Sequence, residues 1–180
     1  MAHRTVRGYD RSMRRSRYPR WVTPQTKTLD RLHPQNLREV GPNLYVGAEM
    51  SPPVTPDTGR WALIVDLCGS AVDDHAVQMN YLPFADRVVS APFLDAEPIP
   101  EGHLDEVLPR IVAARGRGPV LVHCAAGLSR SASVAYVVLR SEDHLTHDEA
   151  LRRVAVPGIY PHYPHPTVLR SARAWLRENL

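Results

Sequence analysis

Apolar residues along this chain fall into runs of two kinds. Trp61-Ala62-Leu63-Ile64-Val65-Asp66-Leu67 and Pro119-Val120-Leu121-Val122-His123 are short and almost continuously hydrophobic, as a strand covered on both faces requires. Between them Leu104, Val107, Leu108, Ile111 and Val112 recur at i, i+3, i+4, i+7 and i+8, the stripe of an amphipathic helix. Pro100 suits the first turn of that helix, and Gly116 and Gly118 end it. Pro109 lies inside the stripe and predicts a kink or a split. Asn43-Leu44-Tyr45-Val46-Gly47 reads as a short strand closed by glycine, followed by a loop with Pro52, Pro53 and Pro56, and a further strand is expected around Val88–Phe93. Helices are predicted over Ser131–Ser141, from Thr146 to about Val154, where Thr146 and Glu149 form a capping box, and from Pro166 to about Glu178. Strands alternating with helices imply an α/β domain with a mainly parallel central sheet.

A length of 180 residues suits one domain with its own core. No apolar run approaches the ~20 residues of a membrane span, and no apolar segment near the start reads as a secretory signal. Two cysteines, Cys68 and Cys124, cannot make a disulfide framework, so a reducing, cytoplasmic setting is expected. Charge is uneven. Residues 1–38 carry ten basic side chains against Asp10 and Asp30, whereas the remainder carries 12 basic and 17 acidic residues. The expected organisation is a basic, flexible arm over 1–38 and a folded domain over 39–180, the transition falling near Leu37–Pro42. A transit peptide, an arm for nucleic acid or an acidic partner, a tether to anionic membrane, and a tail solvated by its own charges all fit such a segment.

The stretch Val120-Leu121-Val122-His123-Cys124-Ala125-Ala126-Gly127-Leu128-Ser129-Arg130-Ser131 runs strand, tight loop, helix. A short loop entering a helix N-terminus aims several backbone N–H groups into one concavity, with the helix dipole behind them. Residues Ala125 to Arg130 would cradle a phosphate dianion. Gly127 allows backbone angles closed to other residues. Arg130, six positions after Cys124, offers a planar fork for two phosphate oxygens. Amide dipoles and a guanidinium favour thiolate over thiol at Cys124, and a thiolate beneath phosphorus is an in-line nucleophile. His123 would hydrogen-bond within the loop and hold Cys124 in place. Ser131, and less directly Ser129, can donate to the sulfur and make it a better leaving group. A structural cysteine after a strand is common; the conjunction of His, Cys, Gly, Arg and Ser at these spacings is what points to chemistry.

This loop resembles the His-Cys-x5-Arg-Ser signature of the protein tyrosine phosphatases, and Ala-Gly-x-Ser-Arg-Ser resembles the dual-specificity subfamily most closely. Ala135-Tyr136-Val137-Val138, Asn43–Gly47 and Ile64–Cys68 are similar to that subfamily's Ala-Tyr-Leu-Met, Leu-Tyr-Ile-Gly and Ile-Leu-Asn-Leu stretches, so the likeness covers roughly residues 40–178. It implies a three-layer α/β fold, with the sheet flanked by helices, and phosphomonoester hydrolysis through a phosphocysteine intermediate held in a P-loop. No cofactor and no metal are implied. The family's general acid is an aspartate roughly thirty residues before the cysteine; Asp95 is the candidate, ahead of Asp86 and Glu97. The family's asparagine after the penultimate helix, which supports the loop, is replaced here by the region of Tyr160-Pro161-His162.

Ala125, Ala126 and Leu128 are uncharged where relatives acting on polyphosphorylated lipids carry Lys or Arg. A phosphoprotein is therefore the expected substrate, ahead of small phosphoesters, RNA 5′-phosphates and lipids. A phosphate-binding module without catalysis is the rival reading. Cys68 ends the Ile64–Leu67 strand, where it is either an inert core thiol or a partner that traps oxidised Cys124 as a disulfide. His144, His147, His162 and His165 do not have metal-ligand spacing.

Overall fold

The computed structural model describes residues 36–49, 55–68, 80–156 and 164–180. Most of the basic segment, Pro52, Pro53 and the Tyr160-Pro161-His162 region lie outside the described residues. Five strands, β1 (Arg38–Gly41), β2 (Leu44–Ala48), β3 (Leu63–Asp66), β4 (Val88–Ser90) and β5 (Val120–Cys124), form one sheet in the order β1-β2-β5-β3-β4. Only β1 and β2 pair antiparallel. Four helices complete the described elements: α1 (His103–Arg115), α2 (Arg130–Ser141), α3 (His147–Val154) and α4 (Pro166–Asn179).

The two hydrophobic runs become the centre of the sheet. On β3 and β5, Leu63, Val65, Val120 and Val122 face the main core with the helices, while Ile64 and Leu121 join Trp61, Tyr81 and Ala85 on the opposite face. Alternation thus exists, but both faces are apolar, which is why the runs look continuous. Helix α2 packs on β5 and β2 and touches α1, α3 and α4, so its ten buried residues make it the hub of the helical layer.

Several boundaries differ from the sequence expectation. Strand β4 stops at Ser90: Ala91 N–H still donates to Asp66 O at 2.8 Å, but Pro92 has no N–H to extend the ladder. Helix α1 begins at His103 and not at Pro100, because Gly102 precedes it in the left-handed conformation (φ 73°). Pro109 neither splits nor ends α1. It is exposed, as is Asp105, so the Asp105 carbonyl that loses its amide partner can accept a hydrogen bond from water instead. The capping box forms as expected, with Thr146 N–H donating to Glu149 Oε2 at 2.8 Å and Glu149 N–H to Thr146 Oγ1 at 3.3 Å. Strand β1 was not expected: the charged Arg38-Glu39 pair reads as the end of the arm, yet Asn36 to Arg38 belong to the folded unit.

Candidate active site

Parallel strands β2, β5 and β3 end together, and the loop from Cys124 to Arg130 rises from their carboxyl ends into α2, where ligands bind in open α/β sheets. Gly127 is required twice over. Its φ is +67°, and a Cβ there would lie 2.6 Å from Gly47 C and 2.7 Å from Ala48 N. The loop can lie this close to β2 only without a side chain at that position.

Cys124 is almost fully buried at the base of the loop, with Sγ 3.2 Å from Ser131 Oγ. Ser131 is the second residue of α2, so the helix fixes its hydroxyl beneath the sulfur. Ser129 does not serve the sulfur in this arrangement; its Oγ accepts from His165 N–H at 3.3 Å, tying the start of α4 to the loop. Arg130 is buried too. Its Nη1 donates to the carbonyls of Leu67 (2.6 Å), Cys68 (3.0 Å) and Phe93 (2.9 Å). One edge of the guanidinium is thereby anchored, while Nε is buried and has no hydrogen-bond partner among the described residues. A buried, unpaired guanidinium N–H is costly unless an anion completes it.

Asp95 lies on the segment after β4, its Oδ1 4.0 Å from Arg130 Nε and half-exposed. Ala96 N–H donates to the same oxygen at 3.0 Å and orients the carboxyl. Cys68, Pro92, Phe93, Leu94, Asp95 and Arg130 line an open cleft of about 380 Å³. Asp86 is elsewhere, paired with Arg60 Nε at 3.1 Å on the surface, and Glu97 is exposed and does not line this cleft.

His123 departs from the expected loop contact. Its ring is fully buried and lies among Cys68, whose Sγ is 3.9 Å from Nδ1, Asp66, whose Oδ1 is 3.7 Å from Nε2, and the Tyr81 ring. Any support it gives Cys124 therefore comes through packing and through its own backbone, whose carbonyl accepts from Leu67 N–H at 3.0 Å. Asp66, Cys68 and His123 offer three metal-ligand atoms within 4.8 Å of one another. However, sulfur and carboxylate approach different ring nitrogens, and the imidazole sits between them. Burial and Asp66 also push the Cys68 thiol well above its ordinary range, which disfavours a thiolate ligand.

Burial lowers the pKa of His123, as it does for His103 and His147, from the ordinary 6.5. Each ring is thus harder to protonate in the fold than in the unfolded chain, where it takes up a proton below about pH 6.5. Stability is therefore fully present above that value and is lost as the pH falls through it. Thermal unfolding should show a Tm several degrees lower at pH 5.0 than at pH 7.5, about 2–4 °C per kcal/mol lost; an unchanged or higher Tm at pH 5.0 would contradict this.

The sequence reading missed two residues at the loop. Asn36 Nδ2 donates to Ala126 O (2.9 Å) and Gly127 O (3.2 Å), and Arg38 Nη1 donates to Gly127 O (3.0 Å). Both sit in the basic segment, where charge density hides them.

No family profile matches the chain, and no curated protein matches it in sequence. Its fold is similar to that of solved tyrosine and dual-specificity phosphatases. Among solved structures it is similar to human DUSP28, at 22% identity and a TM-score of 0.61, covering 82% of this chain and 97% of that one. A mouse putative dual specificity phosphatase complexed with zinc tungstate gives 24%, 0.61, 82% and 92%. P. aeruginosa TpbA in complex with pTyr gives 22%, 0.54, 90% and 91%.

Proposed function

We propose that this protein is a cysteine-dependent phosphomonoester hydrolase that acts on phosphoproteins, phosphotyrosine foremost. The observation that carries this is a buried Cys124 Sγ, 3.2 Å from Ser131 Oγ, below a loop closed by Arg130, whose unpaired Nε lies 4.0 Å from Asp95. The candidate phosphate fork and proton donor line one cleft, and the candidate nucleophile is buried at the base of the loop that carries the fork.

In the first step the Cys124 thiolate attacks phosphorus, an S–P bond forms and the P–O bond to the leaving group breaks. Asp95, protonated, gives its proton to the departing oxygen. Loop amides and Arg130 hold the equatorial oxygens throughout. In the second step water attacks the phosphocysteine, Asp95 carboxylate takes its proton, the S–P bond breaks and inorganic phosphate leaves. The Ser131 hydroxyl donates to the sulfur as it regains its charge.

Several features favour an aryl phosphate on a protein. Leu94 is 75% exposed at the cleft, an apolar surface beside Asp95 against which a phenol ring can rest. Ala125 and Ala126 are exposed and uncharged, so these two loop positions add no cation for a second phosphate. A structural neighbour binds pTyr. No described helix is long and apolar enough to cross a membrane, and two free cysteines suit a reducing cytosol.

The test is hydrolysis of p-nitrophenyl phosphate by the full chain with and without chelator, followed by phosphotyrosyl and phosphoseryl peptides, inositol lipids and RNA 5′ ends. We expect chelator-independent turnover and the highest kcat/KM on phosphotyrosyl peptide. A protein that binds vanadate yet hydrolyses none of these would instead be a phosphate-binding module.

A further inference from the structure

The outer side of the loop is as elaborately bonded as its inner side is open. Three successive carbonyls are taken from outside: Ala125 O by Glu49 N–H at 3.3 Å, Ala126 O by Asn36, and Gly127 O by both Asn36 and Arg38. In a planar trans peptide the C=O of one residue and the N–H of the next point in opposite directions. Holding these three carbonyls outward therefore turns the N–H groups of Ala126, Gly127 and Leu128 to the other side, the side of the phosphate.

The holding groups are themselves fixed. Asn36 is nearly buried and adopts φ +47°, a conformation that asparagine tolerates better than most residues. Arg38 Nη1 donates to Asn36 Oδ1 at 3.1 Å, so the carboxamide can present only its NH2 group to the loop. Arg38 Nη2 donates to Val154 O at 2.7 Å, the last residue of α3, where helix carbonyls lack amide partners. One guanidinium thus bridges the loop to the C-terminal end of α3. Burial pushes its pKa down to about 10, and the charge that opposes this shift is Cys124.

We infer that Asn36 and Arg38 are positioning residues of the phosphate cradle, holding its carbonyls outward so that its amides face the substrate and keeping a buried cation within electrostatic reach of Cys124. This rests on the proposed phosphatase reading for the identity of the bound anion, but not for the loop geometry. Neither side chain touches the reacting atoms; each acts through the loop.

The test reads the loop directly. Wild type and the Asn36→Ala, Arg38→Met and Arg38→Lys variants are alkylated with iodoacetamide across a pH series, and the Cys124 peptide is followed by mass spectrometry. The same reaction is then run under increasing inorganic phosphate, with folding checked by circular dichroism. For Arg38→Met we expect the alkylation profile to move up by about one pH unit and the phosphate needed for half-protection to rise about tenfold. Arg38→Lys should keep much of the wild-type profile, since the charge remains, but not the phosphate protection, since an ammonium cannot bridge two carbonyls as the fork does. Asn36→Ala should weaken phosphate protection with little change in the profile. Should Arg38→Met fail to fold, the other two variants decide. Folded variants that match wild type in both readouts would overturn the inference. If phosphate fails to protect even the wild type, the proposed activity falls, while the alkylation profiles still decide whether Arg38 acts on Cys124.

Discussion

Cys124→Ser is expected to lower phosphomonoester hydrolysis by about 1,000-fold or more, with the fold and oxyanion binding retained. Serine is close in shape to cysteine, and its hydroxyl can keep the contact that Sγ makes with Ser131 Oγ at 3.2 Å. What it loses is nucleophilicity. A serine hydroxyl needs a base to take its proton, and the nearest histidine in sequence, His123, lies among Asp66, Cys68 and Tyr81. Steady-state rates on aryl phosphate, paired with vanadate binding, check this. A serine variant with rates near wild type would mean that the sulfur is not the nucleophile.

Asp95→Asn should cost about 100- to 10,000-fold on phosphotyrosyl peptide, the usual contribution of a positioned acid, and less on p-nitrophenyl phosphate, whose leaving group needs little protonation. The difference between the two substrates is the diagnostic feature. Asp86→Asn should be near wild type, because Asp86 is engaged with Arg60 at the surface and lies outside the cleft. An Asp95→Asn enzyme with full activity on both substrates would remove Asp95 from the mechanism.

Much of this molecule is legible in its sequence, for identifiable reasons. The strand–loop–helix around Cys124 depends on short-range rules: a buried run, a glycine where φ must be positive, and an arginine six positions on. Those rules act within a dozen residues, so one window reveals them. The mainly parallel character of the sheet is also legible, from strands alternating with helical stripes, whereas the strand order is not written in any local pattern. Where the reading fell short, the cause was long-range. Pro109 looked like a break because sequence does not say which face of α1 meets water. His123 was expected to serve the loop, whereas β3, paired beside β5, brings Asp66 and Cys68 to its ring. Asn36 and Arg38 reach across 90 and 89 residues to the loop, and no local pattern distinguishes them from the basic segment they close. Asp95 stood out only through a family spacing; its place 4.0 Å from Arg130 Nε depends on where β4 ends.

The central claim is that phosphorus passes through a covalent bond to Cys124. The most direct measurement is rapid acid quench of the full chain during turnover of p-nitrophenyl phosphate, with peptide mass mapping under conditions that preserve thiophosphate esters. The account predicts one phosphoryl group on the peptide containing Cys124, absent from Cys124→Ser and formed at the rate of the p-nitrophenol burst. Turnover with no phosphoryl group on that peptide, or with one on a different residue, would contradict it.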